Sequence, residues 1–180
     1  MSSEGISKKQ ILKVIVQHQK EMTWCWAAVG SVCALYYYPD SGWTQCKLAS
    51  STITPSPGNC CASEVPAACN RTYYLNNKQH TGSLVTAGID DGFQEGAITQ
   101  DVLIGRLDKE EPVAYRLAMY SGTLFHFVII SGYQVINDKT IFTVDDSFFG
   151  SAEIIYDEFV KNYKNDGKVT HTFFTAKKKA

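Results

Sequence analysis

The sequence predicts an α+β protein, with a helical N-terminal half followed by an antiparallel β C-terminal half. Three observations carry that expectation. Trp24 to Tyr37 is apolar almost all round, the pattern of a helix buried in the middle of a domain. Residues 39–77 shift to Ser, Thr, Pro, Gly and Cys, which suits loops with one or two short helices. Beyond Pro112 come β-rich runs at Val113 to Met119, Phe125 to Tyr133, Thr140 to Val144, Ala152 to Tyr156 and Val169 to Phe174. At 180 residues and 44% hydrophobic content, the chain can bury a core as a single domain over 1–180, with a helical half over about 17–80 and a β half over about 97–176.

In chain order, Ile11 to Val16 is β-branched and suits a short strand or extended arm. Thr23 can cap the buried helix at its N-terminus, and Pro39 and Gly42 end it. Asn76 to Gly96 is polar and reads as a crossing between the halves. Thr99 then caps a helix with Val102, Leu103 and Leu107 on one face, ending before Pro112.

The balance of 17 basic against 18 acidic side chains gives a net charge of −1, so no overall field selects nucleic acid or an anionic membrane as partner. The closing Lys177–Lys179 run reads as a solvated chain end. No segment approaches the roughly 18 apolar residues that span a bilayer. Met1 to Lys9 contain no apolar stretch of the signal-peptide kind, so an extracellular role would call for a dedicated secretion machine.

The chemistry concentrates at the start of the buried helix. A first-turn cysteine has its thiolate stabilised by the positive helix end and by unpaired backbone N–H groups, and Cys25 holds that position. Taken on its own it reads sooner as a small buried hydrophobe, common for cysteine in a core helix. Six residues earlier, the Gln19 amide can donate to a developing oxyanion beside the N–H of Cys25, with Gln17 as a rival. Of four histidines, His126 opens the apolar string His126–Tyr133 directly after a flexible turn, which lets it face a cleft while the strand anchors it. His18, His80 and His171 are less well placed.

A carboxylate must reach the far ring nitrogen of His126 to fix its tautomer. Asp145 and Asp146 close the next run. With a tight turn at Asn137-Asp138, Asp145 falls opposite Ile130, roughly 13 Å from His126. With a looser loop over residues 133–138, His126 faces Asp145, Val128 faces Thr143 and Ile130 faces Ile141. A triad through Asp145 requires the looser loop.

Together, Gln19, the run Trp24-Cys25-Trp26-Ala27-Ala28, the string from His126 to Tyr133 and Val144-Asp145 resemble bacterial papain-like cysteine proteases. The likeness is to type III effector proteases of plant pathogens and, more distantly, to bacteriocin leader peptidases. The strings Gln45–Ala49, Cys60-Cys61 and Cys69-Asn70 look similar to that group as well. The resemblance implies a papain-like fold with the active site between the halves, Cys25 as nucleophile, His126 as base, Asp145 as orienting acid and Gln19 as oxyanion donor. Asp146 stands where the family often has proline, so two adjacent carboxylates compete. Bulky Trp24 and Trp26 favour a peptide substrate and are expected to help bind it.

Cys33, about 12 Å along the helix from Cys25, is too far for a redox pair and reads as a core residue. Cys46, Cys60, Cys61 and Cys69 lack the paired spacing of a zinc ribbon, and no metal or other cofactor is expected. Two disulfides or free thiols both remain open for these four. The function expected is a cysteine endopeptidase acting on a protein or peptide, as a secreted bacterial effector or toxin, with an immunity or inhibitor protein as a possible partner. The alternatives are a catalytically inactive binding module of the same fold and a peptidoglycan amidase.

Overall fold

A computed structural model of the chain describes residues 6–178. Helix α1 spans Cys25–Tyr37 and is followed by a 3₁₀ turn over Pro39–Ser41, α2 over Gln45–Thr52 and α3 over Ser83–Thr86. Strand β1 (Ile6–Ile11) precedes them, and β2 (Asp90–Glu95) and α4 (Gln100–Leu107) follow. The C-terminal half supplies β3 (Val113–Met119), β4 (Leu124–Ile136), β5 (Lys139–Asp146), β6 (Gly150–Ile155), α5 (Tyr156–Asn162) and β7 (Lys168–Thr175). All seven strands join one sheet in the order β2-β7-β3-β4-β5-β6, with antiparallel pairings. β1 pairs with β4 at residues 132–136, where β3 has ended.

Alternation along β4 divides the core. Phe127 and Ile129 pack with α1 residues such as Ala27, Val29 and Cys33. Val128 and Ile130 pack on the other side with Leu103 and Leu107 of α4 and Phe159 of α5. α1 is buried on nearly every face, with small residues where other elements press closest. A Cβ on Gly30 would sit 2.5 Å from Cβ of Ser83, so only glycine lets α3 approach there. Ser83 Oγ donates to the Trp26 carbonyl at 2.8 Å and pins the two helices together.

Several expectations change. The N-terminal strand lies at Ile6–Ile11, so residues 12–19 run on without regular structure. The polar stretch read as a crossing contains α3 and β2, the latter paired with β7. Thr99 caps α4 by accepting from the Val102 N–H, while Val102 itself points outward, half exposed. Ala152–Tyr156 divides into β6 and the start of α5. Thr23 does not cap α1: its hydroxyl donates to Asn70 Oδ1 at 2.7 Å, and no side chain among the described residues caps that helix.

The β4–β5 hairpin decides the site. Asn137 and Asp138 both have positive φ, 48° and 63°, and Ile136 pairs with Lys139. This is the tight two-residue turn, whose backbone twist matches that of the strands. The looser loop does not form. The register then slips between Ile130 and Gly132, leaving Ser131 as an extra residue in β4. Beyond the bulge, Asp145 lies opposite Ile129 and Val144 opposite Ile130.

Candidate active site

Residues paired across an antiparallel ladder point to the same face. Without the bulge at Ser131, Asp145 would share the face of Ile130 and His126. With it, that face belongs to Val144 and Asp146, and Asp145 joins Ile129 on the α1 side. One additional residue therefore exchanges the two carboxylates. Asp146 Oδ1 lies 2.8 Å from His126 Nε2, reached on the diagonal. Asp145 is instead buried on the opposite face, where Oδ1 accepts from the Ser151 hydroxyl and its charge helps raise the Cys33 thiol. The expected orienting role of Asp145 is corrected on this geometry, which gives that place to Asp146.

Asp146 is held from several sides. Oδ1 also accepts from the backbone N–H groups of Phe148 (2.7 Å) and Phe149 (3.1 Å), and Oδ2 accepts from the Tyr163 hydroxyl at 2.9 Å. Burial alone would raise this carboxyl, but the bonds from His126, Phe148 and Phe149 outweigh it and hold the carboxyl below its usual range. For Tyr163, burial pushes the hydroxyl well up, with the Asp146 charge adding to it, so it stays a proton donor.

The His126 ring is hydrogen-bonded to Asp146 and has the Cys25 thiol as its polar neighbour in the cleft wall. Because Nε2 is engaged by Asp146, Nδ1 is the nitrogen left for sulfur. Burial opposes charging the ring and is the largest single influence, yet the bonds and charges of Asp146 and Cys25 together raise its pKa from 6.5 to about 9. Phe149 stands edge-on to the ring, with centroids 6.3 Å apart, and screens the pair from water.

Gln19 is buried beside this cluster. Its N–H donates to the Ser147 carbonyl at 2.9 Å, and its Oε1 accepts from the Ser147 hydroxyl at 3.0 Å, tying the approach to α1 onto the turn after β5. Nε2 donates to the carbonyls of Glu21 (3.1 Å) and Met22 (2.7 Å), so serving an oxyanion means exchanging one of those bonds for the substrate oxygen. Gln17 is exposed and stands away from the cysteine. Gln45, at the start of α2, clamps the same segment by accepting from Lys20 N–H and donating to the His18 carbonyl.

Trp24 and Trp26 are both 0% exposed; Trp24 lines neither cleft arm, which overturns its expected substrate contact, while Trp26 backs the wall of the second arm. Their indole N–H groups donate to the carbonyls of Cys69 (2.8 Å) and Arg71 (3.1 Å), so they moor the 69–71 loop to the helix. Two disulfides, Cys46–Cys61 and Cys60–Cys69, hold the same loop system, while Cys25 and Cys33 remain free. Cys33 lies in the core, where burial and then the Asp145 charge push its thiol up to about 12.

Cys25 opens onto a cleft with two arms. One, of about 230 Å³, is lined by Gln19, Met22, His126, Phe148 and Phe149 among others. The second, of about 390 Å³, runs past Thr72, Tyr73, Tyr74 and Arg116. Asp146, Tyr163, Ser147 and Gln45 are the participants that sequence reasoning missed or set aside. The adjacent acids Asp145-Asp146 and the string Gln45–Ala49 gave the signals of them; Ser147 and Tyr163 gave none.

The family model described as Peptidase_C39 like family matches residues 11–171. Among solved structures, the chain is similar to digestive procathepsin L 3 of Tenebrio molitor larval midgut. That likeness has a TM-score of 0.55 at 11% identity and covers 97% of this chain and 72% of the other. No curated protein matches. The fold is papain-like, with helices in the N-terminal half and antiparallel strands in the C-terminal half.

Proposed function

Because the chain belongs to the Peptidase_C39 like family and has a papain-like fold, we propose that it is a cysteine endopeptidase working through Cys25, His126 and Asp146. The observation that carries this reading is the His126 ring, hydrogen-bonded to buried Asp146 and sharing the wall of one cleft arm with Cys25, which also lines the other arm. Cys25 gives its thiol proton to His126 as its sulfur attacks the scissile carbonyl carbon, and the oxyanion is received by the Cys25 N–H and by Gln19 once it releases a loop carbonyl. The C–N bond breaks as the His126 imidazolium gives its proton to the leaving amine, leaving a thioester. Water then attacks the thioester carbonyl and gives a proton to His126. The C–S bond breaks, the acid product leaves and the thiol–imidazole pair is restored. Asp146 holds the ring in one tautomer and stabilises its charged form throughout.

A polypeptide substrate is supported by the rim of the cleft. Six of the eleven exposed large apolar side chains among the described residues, Met22, Tyr120, Leu124, Phe125, Phe148 and Phe149, line the arm that holds His126. Such a rim suits bulky apolar residues of a peptide better than a glycan. The two disulfides support an oxidising destination, and with it the secreted effector or toxin reading.

The test is digestion of a diverse peptide pool by the wild type and by Cys25→Ala, with new termini read by mass spectrometry. We expect cuts by the wild type alone. Equal cutting by Cys25→Ala, or none by a wild type whose fold is intact, overturns the proposal, and the second result would favour a binding module or an amidase.

A further inference from the structure

The second arm of the cleft has one charged side chain in its lining, Arg116, set among Tyr73, Tyr74, Phe125 and Phe127. Arg116 projects from β3, where its backbone pairs with Phe127 and His171. Its Nε donates to Thr170 Oγ1 at 2.9 Å, and its guanidinium carbon lies 4.5 Å from the centroid of the Phe125 ring. These two contacts fix the plane of the guanidinium. Its terminal nitrogens make no hydrogen bond or ion pair among the described residues. Glu95 is near enough to favour the charge but lies outside ion-pair distance. A half-buried, oriented and unpaired cation is costly until a carboxylate arrives, and its free edge suits a bidentate approach.

The chemistry at Cys25 decides which part of a substrate meets this arginine. In the proposed reaction the leaving amine takes its proton from His126, so the segment after the scissile bond must lie in the arm that His126 lines. The segment before the bond stays attached to sulfur and runs into the other arm, which His126 does not line. From this geometry we infer that the Arg116 arm is a subsite for an acidic side chain N-terminal to the cut, so that the enzyme selects peptides carrying Glu or Asp there. The inference rests on the endopeptidase reading and adds a substrate class to it.

The test uses internally quenched peptides built on a cut site found by the pool digestion, with Glu, Gln or Lys placed in turn at each of the three positions before the scissile bond. At one position the wild type should favour Glu over Gln in kcat/KM by roughly tenfold to a hundredfold, the discrimination expected when a charged hydrogen-bonded pair is lost. Arg116→Gln should bring that ratio close to one, with cleavage of the Gln peptide retained, and Arg116→Lys should keep part of it. Turnover without any Glu preference in the wild type, which needs no variant, overturns the inference and leaves the endopeptidase standing. A preference that survives in active Arg116→Gln assigns it to another residue and also overturns it. Absence of all turnover defeats the endopeptidase reading and this inference with it.

Discussion

The nucleophile and its base reach the cleft by contrasting means. Cys25 is delivered by a helix buried on almost every face, moored through two indoles to a loop system that disulfides close over short stretches of chain. His126 and Asp146 owe their meeting to strand register, and that register turns on a bulge five residues from the histidine and on a tight turn beyond it. The first arrangement has many redundant supports. The second depends on parity, and a single inserted or deleted residue would exchange which acid faces the ring.

The sharpest way to break this comparison is to mutate the two adjacent acids. Asp146→Ala should reduce kcat by roughly a hundredfold to ten-thousandfold, because the ring loses its orienting partner. Asp145→Ala should leave kcat/KM near that of the wild type and act on thermal stability instead, since Asp145 faces Ser151 and the α1 side. The reverse ranking, measured on one peptide, would mean that the β4–β5 register is wrong.

On the nucleophile side, Gln19→Ala should cost roughly a hundredfold in kcat if the amide serves the oxyanion. Gln17→Ala should cost little, because that side chain is exposed and remote from Cys25. A loss confined to KM in Gln19→Ala would reduce Gln19 to a brace for the turn before α1.

The covalent supports can be removed without touching the site. Replacing Cys60 and Cys69 together by Ser should lower stability by about 2–4 kcal/mol, seen as an earlier urea midpoint, while kcat changes far less than in Asp146→Ala. A collapse of kcat with the fold intact would place the loop inside the catalytic unit.

The smallest effect expected is in pH dependence. His126 has a folded pKa of about 9 against an unfolded value near 6.5, so its contribution to stability is complete below about pH 6.5 and is lost as pH rises through about 9. The melting temperature should fall across that window, and kcat/KM should have its alkaline limb near pH 9. Asp146→Asn removes a raising influence and should move that limb toward lower pH. An unmoved limb would detach the titration from this pair.

The same contrast explains what could be read from the chain alone. The buried helix, Cys25 at its start and the strand runs after Pro112 follow from local composition and periodicity, which need no knowledge of partners. His126 was legible because it heads an apolar strand. The choice between Asp145 and Asp146 was not, since a bulge at Ser131 leaves no mark in residue type and yet inverts every face beyond it. Trp24 and Trp26 misled for a related reason. An aromatic beside a nucleophile reads alike whether it faces the cleft or the core, and only the carbonyls of Cys69 and Arg71 settle which.

Those two moored indoles also determine what the protein's own light can report. Trp24 and Trp26 are sealed from water, and Trp43, the third tryptophan, is partly buried away from Cys25's cleft. Intrinsic fluorescence will therefore be nearly blind to a peptide entering the His126 arm, and only Trp26, behind the wall of the second arm, can sense one there. It will instead register the release of the 69–71 loop, as a red-shifted emission when reductant opens the disulfides and water reaches the indoles.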